Sequence, residues 1–291
     1  MEWRAVVRVL RSPLLGLSAA FDDLVTTVYP DNCRACGGSL LRAGFAPVCD
    51  VCVSHIPPQS ERLPMALCGR CGEAMGMESA RFAGQLAARL TQEGLRCSPC
   101  RLAEPAFARA VAYGVYEDEL RELVHLLKYE GMRSLAEPLG RPLAEAVLQL
   151  EGEIGDEVMV VAVPLFPANQ RLRGYNQSVL LADAAIRRLK RLRPDWRLRA
   201  RHDALRRVKA TKSQFTLSAR GRRRNLVGAF AVPEEAAVIG REVLVIDDIY
   251  TTGATARACA SALRRAGARK VWIATLARAQ QESVELWDAD G

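Results

Sequence analysis

Residues 243–255 read VLVIDDIYTTGAT, and their order decides the fold. Four apolar residues run into two carboxylates, Asp247 and Asp248, and then into a small-residue turn that opens a helix. A buried strand with a polar site at its carboxyl end has this pattern. Backbone N–H groups of Thr252 to Thr255 would be free at the helix N-terminus. The Thr251, Thr252 and Thr255 hydroxyls add donors, and Gly253 lets the main chain come close. Together they form a cup suited to a phosphate. Asp247 and Asp248 can accept hydrogen bonds from two vicinal hydroxyls, as a ribose provides. A Walker loop fits poorly because no Lys follows the glycine. Helix capping alone rarely needs the whole series.

Outward from this strand the pattern alternates. RAVAYGVYE reads as a strand and DELRELVHLLKYEG as an amphipathic helix with Leu120, Leu123, Val124 and Leu127 on one face. A helix over 137–150, the apolar strand VMVVAVPL, a helix over 179–192, a strand GAFAV, a helix over 253–266 and the strand KVWIATLAR complete it. Strand–helix alternation implies a parallel sheet with helices on its faces.

The preceding region differs. Eight of the nine cysteines form four Cys-x-x-Cys pairs: Cys33/Cys36, Cys49/Cys52, Cys68/Cys71 and Cys97/Cys100. Two such knuckles make a tetrahedral Cys₄ zinc site. Sequential pairing gives two structural zinc ions, and spacing leaves an interleaved pairing open. Cys259 stands apart in an Ala-rich helix and reads as a small buried residue.

Net charge is +8, which suits an anionic partner. From Arg187 to Arg224 there are sixteen Lys or Arg against two acids, Asp195 and Asp203. This stretch reads either as a solvated helix face with a lid or as a groove for single-stranded DNA phosphates, with Arg222, Arg223 and Arg224 as its densest part. His202 beside Asp203 reads as a surface turn rather than a catalytic pair. Arg8 and Arg11 interrupt the apolar N-terminal run, so an amphipathic helix is expected there instead of a signal peptide. No stretch reaches the ~20 apolar residues of a membrane span, and a cytoplasmic protein is expected.

The strand-turn segment is similar to the phosphoribosyl pyrophosphate (PRPP) motif of type I phosphoribosyltransferases. The whole chain resembles the ComF family through LVHLLKYEG (123–131), VPLFPANQRLRGYNQS (163–178), RRVKATKSQFTLSARGRRRNLVGAF (206–230) and that motif. The resemblance runs from about Tyr29 to Arg278 and implies a double zinc ribbon (29–105) and an α/β type I phosphoribosyltransferase-like domain, a central parallel sheet with a small hood (106–279). The amphipathic N-terminal helix (1–28) and a tail (280–291) flank them. It implies PRPP held by Asp247, Asp248, Thr251, Thr252, Gly253, Ala254, Thr255, Lys128, Arg171 and Arg173, with Mg²⁺ carried in by PRPP. Asp247, Asp248 and Arg173 would be the catalytic residues of any phosphoribosyl transfer. Phe166, Pro167, Ala168 and Asn169 stand where many relatives have His or basic residues. The family implies natural competence, with single-stranded DNA and a helicase-like competence protein as partners. A salvage nucleobase phosphoribosyltransferase and a PRPP sensor without turnover are the alternatives, and type I relatives often pair as homodimers.

Overall fold

The computed structural model describes residues 32–40, 48–63, 66–75, 95–209 and 226–280. The expected N-terminal helix (1–28), Arg222 to Arg224 and the tail beyond residue 280 lie outside them. The chain divides into two units, Met1–His55 and Ile56–Gly291.

In the first unit an antiparallel bridge joins Asn32 to Ser39 around a knuckle. The Gly37 amide donates to Cys33 O at 2.7 Å, and Gly37 sits at φ +73°, where a Cβ is disfavoured. Helix α1 (Asp50–Ser54) starts at Cys49, whose sulfur accepts from the Cys52 amide.

The second unit opens with α2 (Gln59–Arg62), a like knuckle bridging Leu67 and Ala74, and α3 (Ser98–Leu102). There follow β1 (Arg109–Val115), α4 (Asp118–Tyr129), α5 (Ala136–Leu148), β2 (Glu157–Ala162), α6 (Pro167–Arg173) and α7 (Gln177–Leu192). Then come β3 (Arg197–Ala200), β4 (Arg206–Arg207), β5 (Phe230–Ala231), β6 (Glu242–Tyr250), α8 (Ala254–Arg265) and β7 (Lys270–Arg278).

Five strands form one sheet in the order β1-β7-β6-β2-β3, parallel throughout. The continuous apolar run of β6 is what a strand covered on both faces requires. Val243 and Val245 join the core that contains Cys259, Ala260 and Leu263 of α8. The other face is covered by α5 and α7, which pack closely because Gly140 leaves no room for a Cβ against Ala184. The chain leaves β2 for β3 on one side and β6 for β7 on the other. Their carboxyl ends therefore meet at the switch point where such sheets bind ligands.

The α4 face is buried as expected, at Leu120, Leu123, Val124 and Leu127. Two places differ. GAFAV supplies only the short β5, paired antiparallel with β4 outside the main sheet. Within the basic stretch, Arg197–Ala200 is the edge strand β3, with Leu198 and the preceding Trp196 buried between exposed arginines.

Candidate functional site

β6 delivers Asp247 and Asp248 to the switch point, and α7 and α4 meet them there. Asp248 is 3% exposed. Lys128, in the last turn of α4, places Nζ 2.9 Å from Asp248 Oδ2, and Gln177 Nε2 donates to the same oxygen at 3.2 Å. Ser178 Oγ donates to Asp247 Oδ1 at 2.9 Å, which also accepts from the Asp248 amide.

These surroundings divide the carboxylates. Burial, and then the Asp248 charge beside it, pushes the Asp247 carboxyl up to about 7. Burial opposes charge on Asp248 too, but the Lys128 ammonium outweighs it and holds that carboxyl below its ordinary value. Burial alone would discharge Lys128; Asp248 and Asp247 outweigh it and raise its value instead.

Beyond Tyr250 the chain turns through Thr251 and Thr252 to Gly253, which caps α8 at φ +70°. A Cβ at Gly253 would lie 2.1 Å from Tyr250 Oη, so conformation and packing both require glycine. The Thr252 hydroxyl is buried and without a hydrogen-bond partner, and the first amides of α8 have no intrahelical acceptor. A small cavity lined by Asp247, Tyr250, Gly253, Thr255 and Thr275 opens here.

The segment after β2 is bound to the same place. The C-cap Gly174 of α6 is left-handed, Tyr175 Oη donates to Leu127 O, and Asn176 both caps α7 and donates to Val163 O at 2.9 Å. Arg173 reaches Gln177 Oε1 at 2.5 Å and lies over the Tyr129 ring, while Arg171 is exposed on α6. Lys128, Arg173, Asp247, Asp248 and the turn 251–255 thus come together. Gln177, Ser178 and Asn176 join them; the sequence signal for these was the N-cap asparagine that opens α7 inside the GYNQS segment.

The cysteines group sequentially: Cys33, Cys36, Cys49 and Cys52 in the first unit, Cys68, Cys71, Cys97 and Cys100 in the second. None of them is in a disulfide. The Cys33–Cys52 and Cys36–Cys49 sulfurs lie 3.8 Å apart and Cys71–Cys97 3.6 Å. Tetrahedral zinc with ~2.3 Å bonds needs sulfurs about 3.8 Å apart, so both sets fit it. At the second set Arg257 of α8 approaches Cys100 Sγ at 3.6 Å and Arg278 of β7 approaches Cys71 Sγ at 3.8 Å. Two guanidiniums there offset the net dianion that a zinc tetrathiolate would be. Cys259 is fully buried, and burial raises its thiol well above the ordinary value.

The basic stretch is spread over α7, β3 and the segment beyond. Arg187 pairs with Glu137, Arg193 with Glu151 and Asp195, and Arg201 with Asp203. Trp196 is 4% exposed, under Arg193, and offers no stacking face. His202 bonds Asp183 at 3.2 Å through Nε2 and accepts from the Ala162 amide through Nδ1, which closes the end of β2. Among the described residues no helix is long and apolar enough to cross a membrane.

Residues 176–290 match the phosphoribosyl transferase domain family. The chain is 34% identical over 226 residues to DNA utilization protein YhgH of Escherichia coli O6:H1, covering 75% of this chain and 94% of the relative. It is 29% identical over 216 residues to Competence protein F of Haemophilus influenzae, covering 73% and 90%. A hypoxanthine phosphoribosyltransferase of Staphylococcus aureus overlaps it with a TM-score of 0.28 at 18% identity, over 51% of this chain and 64% of that one.

Proposed function

The chain belongs to the ComF family, and from that premise we propose that it binds PRPP, or a related phosphoribosyl ligand, and serves DNA uptake by handling single-stranded DNA. Its larger unit has the phosphoribosyltransferase fold, a central parallel sheet flanked by helices. The observation that carries the ligand reading is a pair of adjacent carboxylates, held by Lys128, Gln177 and Ser178, beside a helix start with an unpartnered, buried threonine hydroxyl.

Asp248, kept charged by Lys128, accepts from one ribose hydroxyl. Asp247, near neutrality and held by Ser178, meets the other. The turn from Thr251 to Thr255 receives the 5′-phosphate on its amides and hydroxyls. Lys128 and Arg173, with Arg171 on the same short helix, offset the pyrophosphate charge. PRPP and water supply most ligands of its Mg²⁺. Should transfer occur, these residues hold the sugar still while the bond from C1 to pyrophosphate breaks. Zinc in the two Cys₄ sets is structural, since four thiolates close each site.

The names of the relatives support the DNA reading, and a helicase-like competence protein is the partner the family suggests. Calorimetry with PRPP and Mg²⁺ tests the site. Wild type binds; Asp247→Asn/Asp248→Asn loses at least ~10-fold, about 1.4 kcal/mol. Equal affinity in the double variant would place the ligand elsewhere. Pyrophosphate release with any common nucleobase would favour the salvage enzyme instead.

A further inference from the structure

The phosphoribosyl reading uses the carboxyl ends of the strands and leaves the amino ends without a role. Two clefts open there, of about 520 and 440 Å³. Arg199, Arg201, Arg241 and Arg269 line the first, against Glu157 and Glu242. Arg70, Arg96 and Lys270 line the second, against Glu153. Neighbouring residues Arg269 and Lys270 connect the two.

Parallel strands set their first residues side by side, so the edge is a row. β1 begins at Arg109, β7 at Lys270 after Arg269, β6 follows Arg241, and β3 begins at Arg197. β2 and β6 themselves begin with acids, Glu157 and Glu242. Three guanidiniums share Glu157: Arg197 and Arg199 at 3.8 Å and Arg241 at 3.7 Å. Glu242 is turned inward, bonded to Arg269, the Gly155 amide and Trp272 Nε1. Glu153 answers Arg109, Glu104 answers both Arg70 and Arg96, and Asp203 and Glu234 answer Arg201. Lys270 lies over the Trp272 ring. Arg70, Arg96 and Arg109 are largely covered, but the cations around Glu157 and Glu242 are open to water: side chains of Arg197, Arg199, Arg241 and Arg269 are 67, 69, 47 and 64% exposed.

We propose that this amino-terminal edge is a second ligand surface, which takes the phosphate backbone of nucleic acid. It rests on the DNA-handling reading for the kind of polyanion and is independent of the PRPP site. A small anion would want donors converging on one point. Here cations from four of the five strands are spread along an edge of about 19 Å, at ~4.8 Å per strand, which suits a chain of phosphates. Trp272 is buried, so the edge offers charge without a stacking face, and binding is insensitive to base and steeply dependent on salt. Arginines on the exposed face of α7 belong to the sequence-local basic stretch and lie outside this row.

The test is fluorescence anisotropy of labelled oligothymidylate with the full chain, from about 50 to about 200 mM salt. Wild type is compared with Arg199→Glu/Arg241→Glu, with the milder Arg241→Gln/Lys270→Gln, and with Arg188→Glu/Lys190→Glu on α7. PRPP binding by each variant checks that the domain is folded. The charge reversal is expected to weaken binding at least ~10-fold, and neutralising two contacts to flatten the log–log salt slope by about 1.4. The α7 variant should stay within about twofold. If wild type binds and the edge variants match it in affinity and slope, the edge is not the surface and the DNA-handling reading survives. If wild type binds no oligonucleotide at low salt, that reading fails and the surface falls with it. An equal loss in the α7 variant, or equal edge-dependent binding to phosphatidylglycerol vesicles, would also overturn the proposal.

Discussion

Asp247 keeps two hydrogen-bond donors, Ser178 Oγ and the Asp248 amide, yet its carboxyl is pushed from an ordinary 3.8 up to about 7, first by burial and then by Asp248. Folding therefore takes up a proton between these values. The stability contributed by this group is whole below about pH 4 and is lost as pH rises through 7, by on the order of a few kcal/mol. Asp248 runs the other way: Lys128 holds its carboxyl low, so its contribution is present at neutral pH and lost in acid. An Asp247→Asn side chain can keep both bonds to Oδ1 without the charge. Its melting temperature should exceed that of wild type near pH 8, with the gap closing toward about pH 4, while PRPP affinity falls. Scanning fluorimetry across pH reads this directly. A gap that does not change with pH would mean that the Asp247 charge is not strained.

At the scale of elements, β6 and α8 act through the turn that joins them. Gly253→Ala adds a Cβ at φ +70° against Tyr250, whose ring is itself stacked on Arg278 at 4.3 Å. The turn must open or the ring must move, and each displaces the amides proposed to meet the phosphate. The expected outcome is a loss of ~1–3 kcal/mol in stability and at least tenfold in PRPP affinity. Chemical denaturation and calorimetry measure the two. Unchanged affinity would detach the turn from the ligand. This turn was legible because carboxylates, threonines and glycine are contiguous. The elements holding it were less so. Ser178 and Gln177 reach the aspartates across 69 and 71 residues, a distance no local pattern carries. β3 was hidden because an edge strand this short shows only Leu198 as an inward residue, between Arg197 and Arg199. α6 buries no residue at all and so lacks a period to read.

Across the whole molecule, charge counted along the chain misleads about charge in space. Arg187 and Arg193 meet acids from α5 and the segment after it, while the cations of the amino-terminal edge gather from strands far apart in sequence. Cysteines were easier: four knuckles gave two sets, and only the pairing needed coordinates. The two sets differ in surroundings. In the first, Cys36 is exposed and Cys49 half-buried. In the second, Cys68, Cys71 and Cys100 are buried in one core with α8, and Arg257 and Arg278 tie their sulfurs to the elements flanking the 251–255 turn. Zinc should therefore leave in two steps under a chelator with a coloured zinc complex. The first centre empties early, and PRPP binding persists. The second empties slowly, and PRPP binding and the cooperative melt disappear with it, because its loss opens a core shared with α8 and removes the thiolate partners of Arg257 and Arg278. Release of both ions in one phase, or PRPP binding that outlives the second, would show that the buried centre does not support the site.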